Sequence, residues 1–241
     1  MSTISCTWNG RLPHTLTEPR QIDAVLFDLD GTLLDTAPDM VAALNRLLIE
    51  QECEELPYEQ LRPVVSHGSF GLLAAAFGAE IEPARLQELT ARFLVLYSEA
   101  LAVDTALFAG VSDLLNAIDD QGLPWGIVTN KPEWLTDRVL SQMGIFATAG
   151  CVVSGDSLAQ RKPHPAPLRH AAGLLNSNPA NCIYVGDAER DIQAGRAAGM
   201  LTLVATYGYI QDHESPEDWQ ADGSLQHPLD LQQWLPGASS N

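Results

Sequence analysis

Basic residues are scarce in this chain of 241 residues, which has 13 Lys and Arg against 31 Asp and Glu and a formal net charge of -18. Nucleic-acid backbones and anionic membrane surfaces are held by many Lys and Arg side chains, so this balance argues against both partners. An anionic ligand would need a local device such as a metal ion, a helix N-terminus or one lysine. We therefore expect a small-molecule ligand, no nucleic acid and no membrane.

The chain also lacks paired cysteines and long apolar runs. Its four cysteines are far apart and show no metal-ligand spacing, which is typical of free thiols in a reducing compartment. The first twenty residues contain no apolar signal core, and no run of about 18 apolar residues occurs anywhere. We expect a cytoplasmic protein in which residues 1–21 precede the fold as an extension. These patterns make no prediction of oligomeric state.

Five short and nearly all-apolar segments predict the strands of a central sheet. They lie at residues 22–27, 124–129, 150–154, 181–186 and 201–206. Such segments suit strands that are buried on both faces of a parallel sheet. Segments with helical spacing separate the later ones, at 132–143, 165–175 and 190–198. Because strand alternates with helix, we predict an α/β fold with a Rossmann-like doubly wound parallel sheet.

Nearly a hundred residues separate the first predicted strand from the second. This part of the chain is rich in Ala, Leu and Glu, with apolar residues at helical spacing and no convincing strand. It is too long for a loop, so we expect an inserted all-helical cap domain at residues 36–107. A helix at 110–123 then returns the chain to the sheet, and the core domain comprises 22–35 and 108–241.

Polar side chains follow the predicted strands, at the edge where open α/β sheets bind ligands. The first strand runs into Asp28 and Asp30, and the fourth runs into Asp187. Asp191 would lie on the same side as Asp187 if a helix starts there. Carboxylates with a hydroxyl and a lysine suit a divalent cation, Mg²⁺ in particular, and a phosphoryl group. The candidates at this edge are Asp28, Asp30, Thr129, Asn130, Lys162, Asp187 and Asp191.

Each of these residues has an ordinary structural alternative. Adjacent like charges at Asp28 and Asp30 repel each other unless a cation or a proton lies between them, but D-x-D-G is also a common turn. Thr129 and Asp187 could cap helices, and Lys162 could be a solvated loop residue. Their order at successive strand ends is what favours a binding site.

The segments DLDGTLLDT, VTNKP, KPHP and VGDAERD, in that order, resemble the four motifs of the haloacid dehalogenase superfamily. The resemblance is to the phosphatase branch with a helical cap, and it covers the chain from Ile22 to the C-terminal region. Within it the chain resembles the phosphoglycolate phosphatase-like group. TNKP, GRAAGM and the tail from Tyr207 are most similar to members that act on N-acetylmuramic acid 6-phosphate. The resemblance implies a Mg²⁺-dependent phosphatase of a small phosphomonoester.

The resemblance also implies roles for the acidic residues. Asp28 attacks phosphorus and becomes an aspartyl-phosphate, and Asp30 serves as general acid and then as base. Lys162 neutralises the charge of the phosphate. The metal residues would be Asp28, Asp30 through its backbone carbonyl, Asp187, and Asp191, which holds a metal-bound water or orients Lys162.

Substrate binding is assigned by the same resemblance. Thr129 would donate its hydroxyl and Asn130 its backbone N–H to phosphate oxygens, while Gly31 would let the backbone approach the phosphate. In the cap, the segment SHGSFG lies where this family presents a loop to the substrate. Its candidate specificity residues are Ser66, His67 and Ser69, and some of them could be turn residues only.

Three other functions are compatible with parts of this pattern. A β-phosphoglucomutase-like enzyme uses the same four motifs and differs in its cap. A phosphoreceiver domain gathers acidic residues, a Thr and a Lys around Mg²⁺, but has no large helical insertion after its first strand. A catalytically silent phosphate-binding protein could also have this fold, although the intact set Asp28, Asp30, Lys162 and Asp187 argues against it.

Overall fold

A computed structural model describes residues 21–236, so nearly all of the predicted extension at 1–21 lies outside it, together with Cys6. Cys53, Cys151 and Cys182 lie within the described residues, and no disulfide joins any two of them. The strands are β1 (Ala24–Phe27), β2 (Leu34–Asp35), β3 (Ala106–Leu107), β4 (Trp125–Val128), β5 (Cys151–Val153), β6 (Cys182–Gly186), β7 (Leu201–Ala205) and β8 (Gly223–Leu225). The α-helices are α1 (Ala37–Glu50), α2 (Tyr58–Leu61), α3 (Gly68–Phe77), α4 (Pro83–Glu99), α5 (Val111–Asp120), α6 (Glu133–Met143), α7 (Ala166–Leu174) and α8 (Glu189–Ala198).

Six strands form one parallel sheet in the order β5-β4-β1-β6-β7-β8. All five predicted strands are present, within two residues of their expected bounds, and the α/β prediction is confirmed. The sixth strand, β8, was not predicted. Its three residues include Ser224 and form the edge of the sheet, so it lacks the all-apolar pattern of a central strand.

Side-chain alternation explains why the central strands are apolar on both faces. Val25 and Phe27 of β1 pack in one cluster with α5 and α6, whereas Ala24 and Leu26 pack in a second cluster with α7 and α8. Burying both faces leaves no position on β1 that favours a polar residue. Helices on both sides of a parallel sheet make this a doubly wound fold.

Helices α1 to α4 occupy the segment predicted as a cap. Leu44 and Leu47 of α1 lie in the same apolar cluster as Phe93 and Leu96 of α4. The helix boundaries follow the expected punctuation, since Pro38 lies in the first turn of α1, Gly78 follows the end of α3 and Pro83 begins α4. The division into domains at 36–107 stays a prediction.

A short antiparallel ribbon connects the sheet to these helices. Strand β2 precedes α1 and pairs with β3, which follows α4, so the chain leaves and re-enters the core at one place. Strand β3 was not predicted, because two residues are too few to show a recognisable alternation. Just beyond the ribbon, the buried Asp39 carboxylate accepts three backbone N–H bonds, from Val103, Asp104 and Thr105. None of the described helices is long and apolar enough to cross a membrane.

Candidate active site

The carboxyl ends of β1, β4 and β6 lie side by side at one edge of the sheet. They deliver Asp28, Thr129 and Asp187 to that edge, because each of these residues directly follows its strand. A cavity of about 580 Å³ lies there between the sheet edge and the helices α1, α3 and α4. Its lining includes Asp28, Asp30, Thr129, Asn130 and Lys162 from the core side and Ser66, Phe93 and Tyr97 from the helical side.

Three buried carboxylates form the centre of this site. Oxygen atoms of Asp28, Asp187 and Asp191 all lie within 4.8 Å of one another. Asp191 lies in the first turn of α8, where its carboxylate accepts the backbone N–H of Ala188 at 3.1 Å and caps the helix. The predicted proximity of Asp187 and Asp191 is therefore present in the structure.

Lys162 lies against this acidic group and is only 2% exposed. Its Nζ contacts four acceptors, at 2.9 Å from Asp28 Oδ1, 2.7 Å from Asp191 Oδ1 and 2.8 Å from both the Val128 carbonyl and the Tyr184 hydroxyl. An ammonium group this enclosed is fixed in position. Asp191 therefore orients Lys162, while Lys162 offsets part of the negative charge on Asp28.

The charges in this cluster perturb one another. Burial raises the pKa of Asp28 to about 6 against the opposing effect of Lys162. Burial and the charges of Asp28 and Asp191 raise the pKa of Asp187 to about 7. Burial alone would raise the pKa of Asp191, but Lys162 and Arg190 hold it below its usual value. The cluster thus has an excess of negative charge that a cation would relieve.

Asp187 has one carboxylate oxygen that is ready for a ligand. Its Oδ2 accepts the Ser66 hydroxyl at 2.5 Å and the Tyr209 backbone N–H at 2.9 Å. Its Oδ1 is buried and has no hydrogen-bond partner among the described residues. A buried, unpartnered oxygen beside two more carboxylates fits a hard cation that prefers oxygen ligands. The group of Asp28, Asp187 and Asp191 could therefore hold a metal ion.

Gly31 lies close to the same carboxylate. Its φ is +84°, and a Cβ at this position would overlap the carboxylate of Asp187. The sequence predicted that Gly31 lets the backbone approach a phosphate, and that role stays a prediction. The structure gives a direct steric reason for glycine at position 31, because any side chain there would displace the Asp187 carboxylate.

The carboxylate of Asp30 does not belong to the group of three carboxylates, although Asp30 lines the same cavity as Asp28. Its Oδ1 accepts the Thr36 hydroxyl at 2.7 Å and lies 3.0 Å from the ammonium Nζ of Lys131. The Asp30 side chain is thus engaged by Thr36 and Lys131, and the predicted use of its backbone carbonyl for the metal stays a prediction. Lys131 had not been assigned a role, although it lies within the quoted segment TNKP. Lys and Arg are scarce in this acidic chain, so a lysine inside a motif segment was the signal that could have identified Lys131 as a site residue.

Thr129 and Asn130 both line the cavity. The Thr129 hydroxyl accepts the backbone N–H of Lys131 at 3.1 Å. The Asn130 side chain donates to the Lys162 carbonyl at 2.9 Å and accepts the Lys162 N–H at 3.1 Å. Asn130 thus holds the backbone of the buried lysine, a role that the sequence did not predict. The predicted use of its own backbone N–H for phosphate stays a prediction.

The three cap candidates also reach the cavity, and they differ in their surroundings. Ser66 is buried, and its hydroxyl donates to the Asp187 carboxylate. Arg190 Nη2 donates to the backbone carbonyl of Ser66 at 2.5 Å. His67 is exposed, with its Nε2 3.9 Å from Glu214, and Ser69 lies on the cavity wall. Ser66 therefore supports the acidic cluster directly, which is more than the turn or specificity role expected of it. Arg190, from the quoted segment VGDAERD, was missed.

Comparison with known proteins places this geometry in context. A family model described as haloacid dehalogenase-like hydrolase matches residues 25–205. The chain is 46% identical over 215 residues to a phosphoglycolate phosphatase of Xanthomonas campestris pv. campestris (strain 8004), covering 89% of this chain and 96% of the relative. It is 38% identical over 218 residues to an N-acetylmuramic acid 6-phosphate phosphatase of Pseudomonas putida, covering 90% and 98%. A crystal structure of a predicted phosphoglycolate phosphatase from Haemophilus somnus 129pt has a TM-score of 0.78 at 27% identity, covering 88% and 97%.

Proposed function

The chain belongs to the haloacid dehalogenase-like hydrolase family and is a phosphatase, and we propose that it hydrolyses a small phosphomonoester with Mg²⁺ through an aspartyl-phosphate on Asp28. The observation that carries this proposal is that Asp28 lines the cavity and is held by Lys162. It lies beside Asp187 Oδ1, which has no hydrogen-bond partner within the described part of the chain. Membership of a hydrolase family sets aside the phosphoreceiver and the silent binding protein.

The proposed reaction has two balanced steps. An oxygen of Asp28 forms a bond to phosphorus while the bond from phosphorus to the alcohol oxygen breaks, and Asp30 gives its proton to that leaving oxygen. Water then attacks the phosphorus of the aspartyl-phosphate, and Asp30 takes a proton from the water as the Asp28 carboxylate is released. Phosphate and the alcohol are the products, and the enzyme regains its starting protonation.

The remaining residues position the phosphoryl group and offset its charge. Asp28, Asp187 and Asp191 would hold Mg²⁺, which when bound supplies positive charge for the phosphoryl oxygens. Lys162 supplies a second fixed positive charge, and Thr129 lines the same cavity and can donate its hydroxyl. Positioning and charge neutralisation of this kind account for most of the catalysis of phosphoryl transfer.

Two substrates have separate support. Phosphoglycolate is named in the relative that shares 46% identity. N-Acetylmuramic acid 6-phosphate is named in the relative that shares 38% identity, and the cavity of about 580 Å³ favours it. Cavities of roughly 300–1,000 Å³ accommodate ligands of drug size, which is more than a two-carbon acid needs. Apolar side chains on the wall, Phe93 among them, also suit the bulk and the methyl groups of an acylated amino sugar.

A phosphate-release assay with Mg²⁺ separates these substrates. The substrates compared by kcat/KM are phosphoglycolate, N-acetylmuramic acid 6-phosphate and N-acetylglucosamine 6-phosphate, which lacks only the lactyl group. A preference for the muramic ester over its glucosamine analogue would mean that the cap reads the lactyl group. A preference for phosphoglycolate would assign the two-carbon ester. Conversion of β-glucose 1-phosphate to glucose 6-phosphate, without phosphate release from any ester, would contradict the phosphatase and support a mutase.

A further inference from the structure

Lys131 joins the core of the protein to the cap helices at the cavity. It follows β4, is 7% exposed, and its Nζ lies 3.0 Å from Asp30 Oδ1 and 3.0 Å from the hydroxyl of Tyr97 on α4. The same ammonium lies 4.7 Å from the centre of the Tyr97 ring. One buried cation therefore contacts the proposed acid–base residue and the cap together.

The backbone of Lys131 is held firmly by the core. Its N–H donates to the Thr129 hydroxyl at 3.1 Å, and its carbonyl accepts the Gly155 N–H at 2.8 Å and the Thr136 hydroxyl at 3.3 Å. A side chain that starts from a fixed backbone and ends on two partners has little freedom of movement. Lys131 can therefore fix the position of a neighbour.

Among the residues that the structure describes, the hydrogen bonds to the Asp30 carboxylate involve only its Oδ1. Both the Thr36 hydroxyl and the Lys131 ammonium bind Oδ1, and Asp30 lines the cavity. This leaves Oδ2 free of those two bonds and able to carry the transferred proton. Misplacement of a proton donor by about 1 Å can reduce catalysis greatly, because proton transfer needs hydrogen-bond distance to the leaving oxygen.

We propose that Lys131 is a positioning residue for Asp30 in the acid–base steps, and that the Tyr97 hydroxyl keeps Lys131 in place when the cap covers the cavity. This inference rests on the proposed function. The packing of α4 on the core would then affect proton transfer. If Tyr97 moved away, Lys131 would lose one of its two partners and would hold Asp30 less firmly.

The proposal is tested with two esters that differ in their need for a proton. An alkyl phosphate, the better of phosphoglycolate and N-acetylmuramic acid 6-phosphate, needs its leaving oxygen protonated. p-Nitrophenyl phosphate does not, because p-nitrophenolate leaves without a proton. The parameter is kcat/KM, which reports only steps up to the first irreversible one and so excludes hydrolysis of the aspartyl-phosphate.

Lys131→Met should lower kcat/KM about 10- to 100-fold for the alkyl ester and less than about threefold for p-nitrophenyl phosphate, because a general acid contributes about 10²- to 10⁴-fold. Arg138→Met is the matched control. Arg138 is an exposed cation of α6 that also contacts α4, through the Ser98 carbonyl at 2.9 Å, but it does not touch Asp30. This control should leave the ratio of the two kcat/KM values unchanged.

Equal losses on the two esters, or a selective loss in Arg138→Met as large as that in Lys131→Met, would overturn the proposal. If circular dichroism shows that Lys131→Met does not fold, the Tyr97→Phe variant tests the proposal instead. Tyr97→Phe keeps the ring and removes the hydroxyl. It should lower kcat/KM by about three- to tenfold for the alkyl ester and leave kcat/KM for p-nitrophenyl phosphate unchanged. An unchanged ratio in Tyr97→Phe would then refute the role. Failure of the wild type to release phosphate from any ester would instead refute the proposed function.

Discussion

Asp187→Asn is expected to stabilise the metal-free protein while weakening its response to Mg²⁺. In the structure Asp187 Oδ2 already accepts two donors, from Ser66 and Tyr209, so an amide oxygen can replace it there. The amide NH₂ would then take the place of the unpartnered Oδ1, next to the carboxylates of Asp28 and Asp191. One repulsive charge disappears and a hydrogen-bond donor faces two acceptors.

The pKa of Asp187 sets the size of the effect. Its pKa rises from 3.8 to about 7 in the folded protein. At about 1.4 kcal/mol per pKa unit, the ionised carboxylate costs on the order of 4 kcal/mol above pH 7. The folded state binds the extra proton, so this penalty is absent below about pH 4 and grows as the pH rises toward 7. Removing a penalty on the order of 4 kcal/mol would raise the Tm of a chain this long by about 8–16 °C.

Thermal unfolding in EDTA at pH 4, 6 and 8 measures the first half of this prediction. The difference in Tm between Asp187→Asn and the wild type should be small at pH 4 and largest at pH 8. Adding Mg²⁺ at 100 times its Kd should stabilise the wild type by about 2.7 kcal/mol and the variant by much less. A variant that is less stable than the wild type at pH 8 in EDTA, or equally stabilised by Mg²⁺, would refute the reasoning.

Two more substitutions test separate parts of the structure. Asp39→Ala should lower the free energy of unfolding, measured in urea, by about 3 kcal/mol or more, because three backbone N–H groups lose their acceptor. A loss below about 1 kcal/mol would contradict a stabilising role of these three hydrogen bonds. Gly31→Ala should abolish most p-nitrophenyl phosphate turnover, because the added Cβ would displace Asp187. Gly78→Ala is the control, since Gly78 has a similar φ of +90° but open space around it; it should lower the free energy of unfolding by only about 1 kcal/mol and keep its activity. Equal activities of the two variants would argue against the overlap at Gly31.

The sequence predicted the parts of the fold that depend on local pattern. Strands buried on both faces, such as β1, must be apolar throughout, and proline and glycine such as Pro38 and Gly78 mark helix ends. The edge strand β8 and the ribbon of β2 and β3 were missed because they are short and half-exposed. Such strands are defined by their partners and not by their own residues.

The candidate site was predictable where residues follow strands directly. Asp28 and Asp187 come together because parallel strands end at one edge, a rule of topology that needs no coordinates. The Asp30–Lys131–Tyr97 contact was not predictable, since Tyr97 is remote in sequence and α4 must pack on the core to bring it there. The same holds for Ser66, which was named for its loop and lies instead against Asp187.

The most direct test of the account is detection of a phosphoryl group on Asp28. The wild type is mixed with Mg²⁺ and the preferred ester, quenched in acid within milliseconds, digested and examined by mass spectrometry. If Asp28 is the nucleophile, a peptide containing Asp28 should be heavier by one phosphoryl group. This species should be absent in Asp28→Asn, which should keep its fold and lose turnover. Undiminished phosphate release by Asp28→Asn, or a phosphoryl group on another residue, would contradict the account.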